Sequence, residues 1–377
     1  MRNFKIQSFG QIQNTEVNFG NLTILIGPQA SGKSIFLQSL KLIIDKDFII
    51  KTLRQYDYVF GKTPKNLLEY YFGEGMANIW RAKTKIILDN DIYDKNYLLD
   101  YYDDTRESLY YIPSQRILSI SEGSPKNFME FDISTPYVLR QFSELLRLYM
   151  EKGIKQEPLF FPVTRQLKTQ IRQSFSDSIF RGGKIVMDER TGQKKIRMEV
   201  SNSNIPFMTW SAGQKEFMPL MIAFYSLSNP RLKINAKEKY KYVVIEEPEM
   251  GLHPKAILSV ILQIIDLTAR DYKVIITTHS PVFLEFAWAF NLLKSIKCDN
   301  SVLLKLLGLK KSIASEKFCN NLINKTINIF YFYRKNGRIL SKDITSLDAG
   351  SKDIDIAEWG GLSSFAYKAS DIVSKYF

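Results

Sequence analysis

Apolar residues along the chain fall into two periods, one suited to strands and one to helices. At the N-terminus, Phe4-Lys5-Ile6, Ile12 to Val17 and Leu22 to Ile26 read as short strands. A helix is expected over Ile35 to Ile44. Residues 45–110 are aromatic and mixed. Within them Ile79 to Leu88 alternates loosely like a strand, Asn90-Asp91 resembles a turn, and Leu109 to Ile112 reads as a strand stopped by Pro113. Between Pro136 and Lys152, apolar Val138, Leu139, Phe142, Leu145, Leu146, Leu148 and Tyr149 recur at helical spacing, and a second helix is expected from Val163 to Phe175. Lys184 to Val200 reads as a hairpin around Arg190-Thr191-Gly192, with Ile185 and Met187 facing Ile196 and Met198.

The second half is more regular. Helices fit Gly213 to Leu227, Pro254 to Thr268 and Pro281 to Lys297, and buried strands fit Tyr242 to Ile245 and Lys273 to Thr277. Strands alternating with helices of this length predict an α/β fold with a parallel sheet. Residues 301–325 read as helical, Ile327 to Phe332 and Arg338 to Ile344 as strands, and Leu362 to Tyr376 as a closing helix.

Composition narrows the classes. In 377 residues, 45% are hydrophobic and 24% charged, the balance of a soluble globular protein. No apolar run approaches the ~20 residues that span a bilayer, and Met1-Arg2-Asn3-Phe4-Lys5 lacks the apolar core of a signal peptide. A cytoplasmic protein with no membrane partner is therefore expected. Cys298 and Cys319 stand far apart with no C-x-x-C pair, against a disulfide framework or a four-cysteine zinc site. His253 and His279 are the only histidines, too few for designs built on several imidazoles. A net charge of +13 admits a nucleic-acid partner. The same charge follows from the Lys-, Ile-, Asn- and Tyr-rich composition of an AT-rich genome, and the basic residues are scattered.

Chemistry first appears at Gly27-Pro28-Gln29-Ala30-Ser31-Gly32-Lys33-Ser34, which fits G-x-x-x-x-G-K-[ST] between the strand ending at Ile26 and the helix beginning near Ile35. In that context the pattern predicts a phosphate cradle. Glycines let backbone N–H groups approach phosphate oxygens, and the helix presents its positive end. Lys33 would reach the β- and γ-phosphates and Ser34 would ligate Mg²⁺. Val243-Val244-Ile245 runs into Glu246-Glu247-Pro248-Glu249, carboxylates that need a compensating cation beside so apolar a strand. Glu246 is assigned to the metal and Glu247 to water activation. Thr277-Thr278-His279-Ser280 ends the next strand, which places His279 near the γ-phosphate. Trp210-Ser211-Ala212-Gly213-Gln214 opens a helix with a serine cap and a glycine, a second arrangement of free N–H groups.

Taken in order, Gly27–Ser34, Ser211-Ala212-Gly213-Gln214, Glu246-Glu247-Pro248-Glu249 with Gly251-Leu252-His253-Pro254, and Thr277-Thr278-His279-Ser280 resemble the motif set of ABC-class ATPases. The resemblance covers most of the chain. It is to their SMC, RecF and OLD-like branch, close to prokaryotic AAA family ATPases of anti-phage systems. It implies an ABC-type ATPase head over residues 1–377, with a P-loop parallel core sheet, an N-terminal antiparallel β-subdomain and a helical insertion. Residues 1–120 would form the N-terminal lobe with Walker A, and 121–205 the helical insertion and hairpin. Residues 206–300 would carry signature, Walker B and switch, and 301–377 would be a C-terminal α/β extension. The resemblance also implies ATP and Mg²⁺ as cofactors and a homodimer with composite sites. In such sites Walker A and B of one subunit face Ser211, Gly213 and Gln214 of the other. His279 would be the switch histidine, Gly251 to Pro254 the loop crossing the interface, and Gln115 in Tyr111-Ile112-Pro113-Ser114-Gln115-Arg116 the reporter of nucleotide state.

Three departures are mild: alanine at 212 for the family's glycine, Gln29 where Asn is common, and Glu246 in place of the usual Walker B aspartate. None removes a reacting group, so slow hydrolysis is expected. Long coiled coils and a cysteine hook are missing, unlike in chromosome-tethering SMC proteins. Asp353-Ile354-Asp355 matches part of the TOPRIM pattern of OLD-type nucleases, but too few residues follow it for such a domain, so it reads as a chance match. The leading expectation is an ATPase that dimerises on ATP and regulates a separate effector, a toxin or nuclease, in phage defence. A RecF-like DNA repair ATPase and a nuclease with an unrecognised site in residues 298–377 remain as rivals.

Overall fold

The protein is described from a computed structural model over residues 1–103, 106–153, 159–163, 167–188, 194–228 and 240–375. The first elements are β1 (Asn3–Phe9), β2 (Ile12–Asn18), β3 (Leu22–Ile26), α1 (Lys33–Gln55), α2 (Lys65–Phe72), β4 (Trp80–Leu88), β5 (Asp91–Tyr93) and β6 (Leu109–Ile112). Then come β7 (Ile120–Ser121), β8 (Ser124–Pro125), α3 (Tyr137–Gly153), β9 (Leu159–Phe161), α4 (Thr169–Phe175), β10 (Lys184–Asp188), β11 (Lys195–Val200) and β12 (Ser203–Pro206). The chain continues through α5 (Ala212–Ser228), β13 (Tyr242–Glu246), α6 (Pro254–Ala269), β14 (Lys273–Thr277), α7 (Pro281–Ser295), α8 (Asn300–Leu306) and α9 (Ile313–Ile323). The last elements are β15 (Ile327–Lys335), β16 (Arg338–Asp343), α10 (Ile354–Ala357) and α11 (Ser364–Val373). They divide into two compact units: Met1–Ile43, Ile79–Tyr97 and Thr268–Phe377 in the first, Ile44–Asn78 and Leu98–Leu267 in the second.

In the first unit the strands run in the order β5-β4-β1-β2-β16-β15-β3-β14. β1, β2, β4 and β5 are joined by antiparallel pairing, which forms the expected N-terminal antiparallel part. β3 lies between two parallel neighbours, β14 and β15, and all five of its residues are buried. A strand covered on both faces needs apolar side chains on both, and Leu22-Thr23-Ile24-Leu25-Ile26 supplies them. The start of α1 docks through Phe36, whose ring meets Phe4 and Phe332 edge-on at centroid distances of 5.0 and 5.2 Å.

In the second unit β6 and β13 pair in parallel, Leu109 opposite Tyr242 and Ile112 opposite Ile245. A separate antiparallel sheet runs β12-β11-β10-β9. Its β10–β11 register sets Ile185 opposite Met198 and Met187 opposite Ile196, as the alternation predicts. The expected turn at Arg190-Thr191-Gly192 lies outside the described residues. The insertion is thus as much sheet as helix. α4 begins at Thr169 instead of Val163, because Lys168 before it is extended (φ −55°, ψ 142°). α5 is buried almost all round from Phe217 onward, with Met218, Leu220, Met221, Ile222, Ala223 and Phe224 in the core.

Two elements depart from the sequence reading within residues 45–78. α1 runs on to Gln55 through a non-helical residue, Asp45 (φ −118°, ψ 23°). The Asp45 carboxylate accepts the backbone N–H groups of Ser108 and Leu109, at 2.8 and 3.1 Å. Buried Lys41, Asp45 and Lys46 interrupt the apolar period there, which is why the continuation is not visible in the sequence. α2 is short, and Leu67, Leu68, Tyr71 and Phe72 bury its face within an otherwise aromatic-rich run.

One close approach constrains the second unit. A Cβ added to Gly213, at the start of α5, would stand 2.4 Å from the carbonyl oxygen of Gly251. That backbone contact has no flexible side chain to give way. Gly213→Ala should therefore destabilise the protein by about 1–3 kcal/mol, the usual cost of overpacking. Chemical denaturation of the nucleotide-free protein measures this, and unchanged stability would contradict it.

Candidate active site

Within the first unit, β3 delivers the chain into the glycine loop. Gly27 has φ +145°, Ala30 +56° and Gly32 +85°, so the backbone turns repeatedly through the region that suits glycine. A Cβ at Gly27 would lie 2.1 Å from the Phe332 carbonyl oxygen, which excludes any other residue. Helix α1 starts at Lys33 with no acid in its first turn, so its positive end is not neutralised. The Lys33 ammonium donates to the Gly27 and Pro28 carbonyls at 2.7 and 3.0 Å and to Ser31 Oγ at 3.2 Å. Ser34 is exposed beside it. A backbone concavity at a helix N-terminus with a lysine held in it fits a nucleotide phosphate chain.

His279 reaches the same edge of the first unit. Thr277 pairs with Leu25 in register, and Thr278 donates its N–H to the Leu25 carbonyl at 3.1 Å. His279 and Gly27 therefore each stand two residues beyond a paired position. Ser280 caps α7 by accepting the N–H of Val282 at 3.3 Å. Sequence reasoning did not find Arg334 on β15, whose guanidinium donates to the Ala30 carbonyl at 3.2 Å and to Gln11. No local signal marks it, since it lies 304 residues from its partner in the loop.

The carboxylates lie in the second unit. Glu246 ends β13 and is 2% exposed. One oxygen accepts the Tyr111 hydroxyl at 2.8 Å, and the other accepts the Ser114 N–H at 3.1 Å. Burial, and then the charge of Glu246, hold the Tyr111 hydroxyl far above its ordinary pKa, so it stays a donor. Glu247 follows with φ +43° and a partly exposed side chain. Its carbonyl and that of Glu246 accept from the Arg116 guanidinium at 3.1 and 3.0 Å. Gln115, expected to report nucleotide state, has an exposed side chain, whereas its neighbour Arg116 is fully buried.

At the opening of α5, Ser211 and Gln214 form a reciprocal cap. The Gln214 N–H donates to Ser211 Oγ at 3.4 Å, and the Ser211 N–H donates to Gln214 Oε1 at 3.2 Å. Gln214 Nε2 also donates to the Ile179 carbonyl at 3.2 Å. Ser211 and Ala212 are exposed, as is His253 ahead of α6. Asp353 and Asp355 are both bonded to Lys342, Asp355 at 2.9 Å. The Lys342 hydrogen bond holds the Asp353 carboxyl below its usual range. Among the described residues no group of three or more His, Cys, Asp or Glu side chains could hold a metal ion by itself, and no helix is long and apolar enough to cross a membrane.

The hydrogen bond from Tyr111 to a buried carboxylate should contribute about 1.5–3 kcal/mol, as bonds to charged groups do. Tyr111→Phe should lose stability of that order on chemical denaturation, and a change below about 0.5 kcal/mol would contradict it.

Comparison with known proteins places the chain in a family. The AAA domain family described as putative AbiEii toxin, type IV TA system, matches residues 53–285, more than half of the chain. The Old nuclease of Escherichia phage P2 is 25% identical over 155 residues, which are 41% of this chain and 25% of that protein. The chain thus spans a quarter of the length of that curated relative. Among solved structures, an Smc head bound to the C-terminal winged-helix domain of ScpA aligns at 11% identity and a TM-score of 0.43, covering 91% of this chain and 96% of that one. The SMC head domain from Thermotoga maritima aligns at 10% identity and a TM-score of 0.39, covering 91% and 98%. The chain belongs to the AAA domain family described as putative AbiEii toxin, type IV TA system.

Proposed function

We propose that the protein binds ATP with Mg²⁺, hydrolyses it slowly, and dimerises through composite sites to regulate a separate effector, a toxin or nuclease, in phage defence. The observation that carries the nucleotide part is the glycine loop, where Gly27 admits no side chain and Lys33 is held inside by three oxygen acceptors. When phosphates are bound, Lys33 exchanges its loop carbonyls for phosphate oxygens. Ser34 and Glu246 are the residues proposed to hold Mg²⁺, which supplies positive charge to the phosphate oxygens. Glu247 accepts the proton of the attacking water, and His279 donates towards the γ-phosphate. Ser211, Gly213 and Gln214 at the N-terminus of α5 serve the partner's nucleotide, in keeping with the exposure of Ser211.

The effector role is supported by the family description, which names a toxin of a toxin–antitoxin system. Likeness to the Old nuclease favours a second reading, direct DNA cleavage. Asp353 and Asp355 are weak candidates for it, since both are already paired with Lys342.

Lys33→Ala should weaken binding of a fluorescent ATP analogue by at least about tenfold, because the charge facing the phosphates is lost. Unchanged affinity would remove the phosphate cradle. Glu247→Gln should bind ATP·Mg²⁺ but hydrolyse it at least about 100-fold more slowly, and native mass should show a dimer with ATP and a monomer without it. A chain that stays monomeric in ATP would sink the composite-site reading. Cleavage of plasmid DNA that needs a divalent metal, and that is lost in Asp353→Asn or Asp355→Asn, would replace the effector reading with the nuclease one.

A further inference from the structure

Arg116, like Arg140, is among the largest fully buried side chains of the described residues. Its three hydrogen bonds all go to main-chain carbonyls: Nε to Glu216 at 3.1 Å, Nη1 to Glu246 at 3.0 Å and Nη2 to Glu247 at 3.1 Å. Glu216 lies in the second turn of α5, and Glu246 and Glu247 form the end of β13 and the residue after it. One planar, charged fork therefore fastens α5, the helix that Ser211 caps, to the acid-bearing turn.

That turn needs fastening. Glu247 stands at φ +43°, a left-handed conformation that costs a residue with a Cβ free energy on the order of 1 kcal/mol. The next stabilising contacts are the turn bonds from Met250 N to Glu247 O and from Leu252 N to Glu249 O, at 3.1 and 2.9 Å. Gly213 and Gly251 then bring the same helix and the same loop into backbone contact. Burial holds the Arg116 guanidinium below its ordinary pKa, and the carboxylates of Glu216, Glu249, Glu247 and Glu246 offset part of that shift. A neutral or mobile residue could not bridge three carbonyls in one plane.

We propose that Arg116 is a positioning residue for the hydrolytic step: through the Glu246 and Glu247 carbonyls it holds the Glu247 backbone left-handed and so aims its carboxylate at the attacking water, and through Glu216 it ties that aim to the position of α5. The proposal rests on the reading that Glu247 activates water. It makes Arg116, not Gln115, the residue of the 111–116 segment that positions Glu247.

The test uses Arg116→Lys and Arg116→Met in the full chain, each with and without Glu247→Gln. Lysine keeps the charge and can serve one carbonyl at a time; methionine serves none. With Arg116→Lys, kcat should fall at least about tenfold while the affinity for a fluorescent ATP analogue stays within about threefold, because the phosphate contacts are made elsewhere. Arg116→Met should fall further. Added to Glu247→Gln, Arg116→Lys should lower the single-turnover rate no further, since the carboxylate it aims is already gone. In nucleotide-free Arg116→Lys protein, amide hydrogen exchange over residues 247–252 should quicken while that of α3 is unchanged.

A loss of rate in the Glu247→Gln background as large as in the wild type would overturn the proposal. So would a fall in affinity that matches the fall in kcat, or an Arg116→Lys protein that does not fold, since each makes Arg116 a general structural residue. Hydrolysis at the wild-type rate by Glu247→Gln alone would instead remove the reading of Glu247, and the proposal with it; the single variant distinguishes that failure from the others.

Discussion

Carboxylates at the end of a buried strand have to be stabilised by the protein itself, whatever ligand later arrives. Glu246 is almost wholly out of water, and burying an ionised carboxylate without partners costs many kcal/mol. The second unit meets this with a tyrosine hydroxyl and a main-chain N–H on the two oxygens, and with the Arg116 charge nearby. Each of these groups comes from the segment between β6 and the 3₁₀ turn at Arg116–Ser119, so β6 must lie beside β13 in this register for the acids to be tolerated. The parallel pairing of Tyr111 with Val244 and of Ile112 with Ile245 is thus as much an electrostatic requirement as a packing one.

A second constraint is steric and recurs in both units. At Gly27 and at Gly213 another stretch of backbone comes so near that no Cβ fits. In the first unit the intruder is the Phe332 carbonyl on β15, which presses the glycine loop from the strand beside β3. In the second it is the Gly251 carbonyl. Glycine in a phosphate-binding loop is usually ascribed to the ligand's approach. Here the fold itself already demands glycine at both positions.

The motifs were largely legible in the sequence. Gly27–Ser34 declares itself through spacing and through the apolar strand before it. Glu246 and Glu247 are visible because an apolar run ends in acids, and the Ser211–Gln214 cap because its two partners are three residues apart. These are short-range patterns, set by the period of a strand or a helix turn. The hairpin register of β10 and β11 was legible for the same reason, since alternation puts Ile185 and Met187 on one face.

Other features had no local trace. Asp45 breaks the period of α1 because it serves N–H groups 63 and 64 residues away. Tyr111 reads as one more strand aromatic until it meets Glu246, 135 positions on. Arg334 and Arg116 look like ordinary basic residues of a basic chain, yet they contact the glycine loop and the acid turn from 304 and about 130 positions away. By itself, then, the sequence determined most of the strands and helices, the glycine loop and the acid-ended strand as motifs, and the family. Only the tertiary structure decided which side chains hold that chemistry in place. Hydrogen bonds between remote segments depend on strand order and register, and neither leaves a period in the chain.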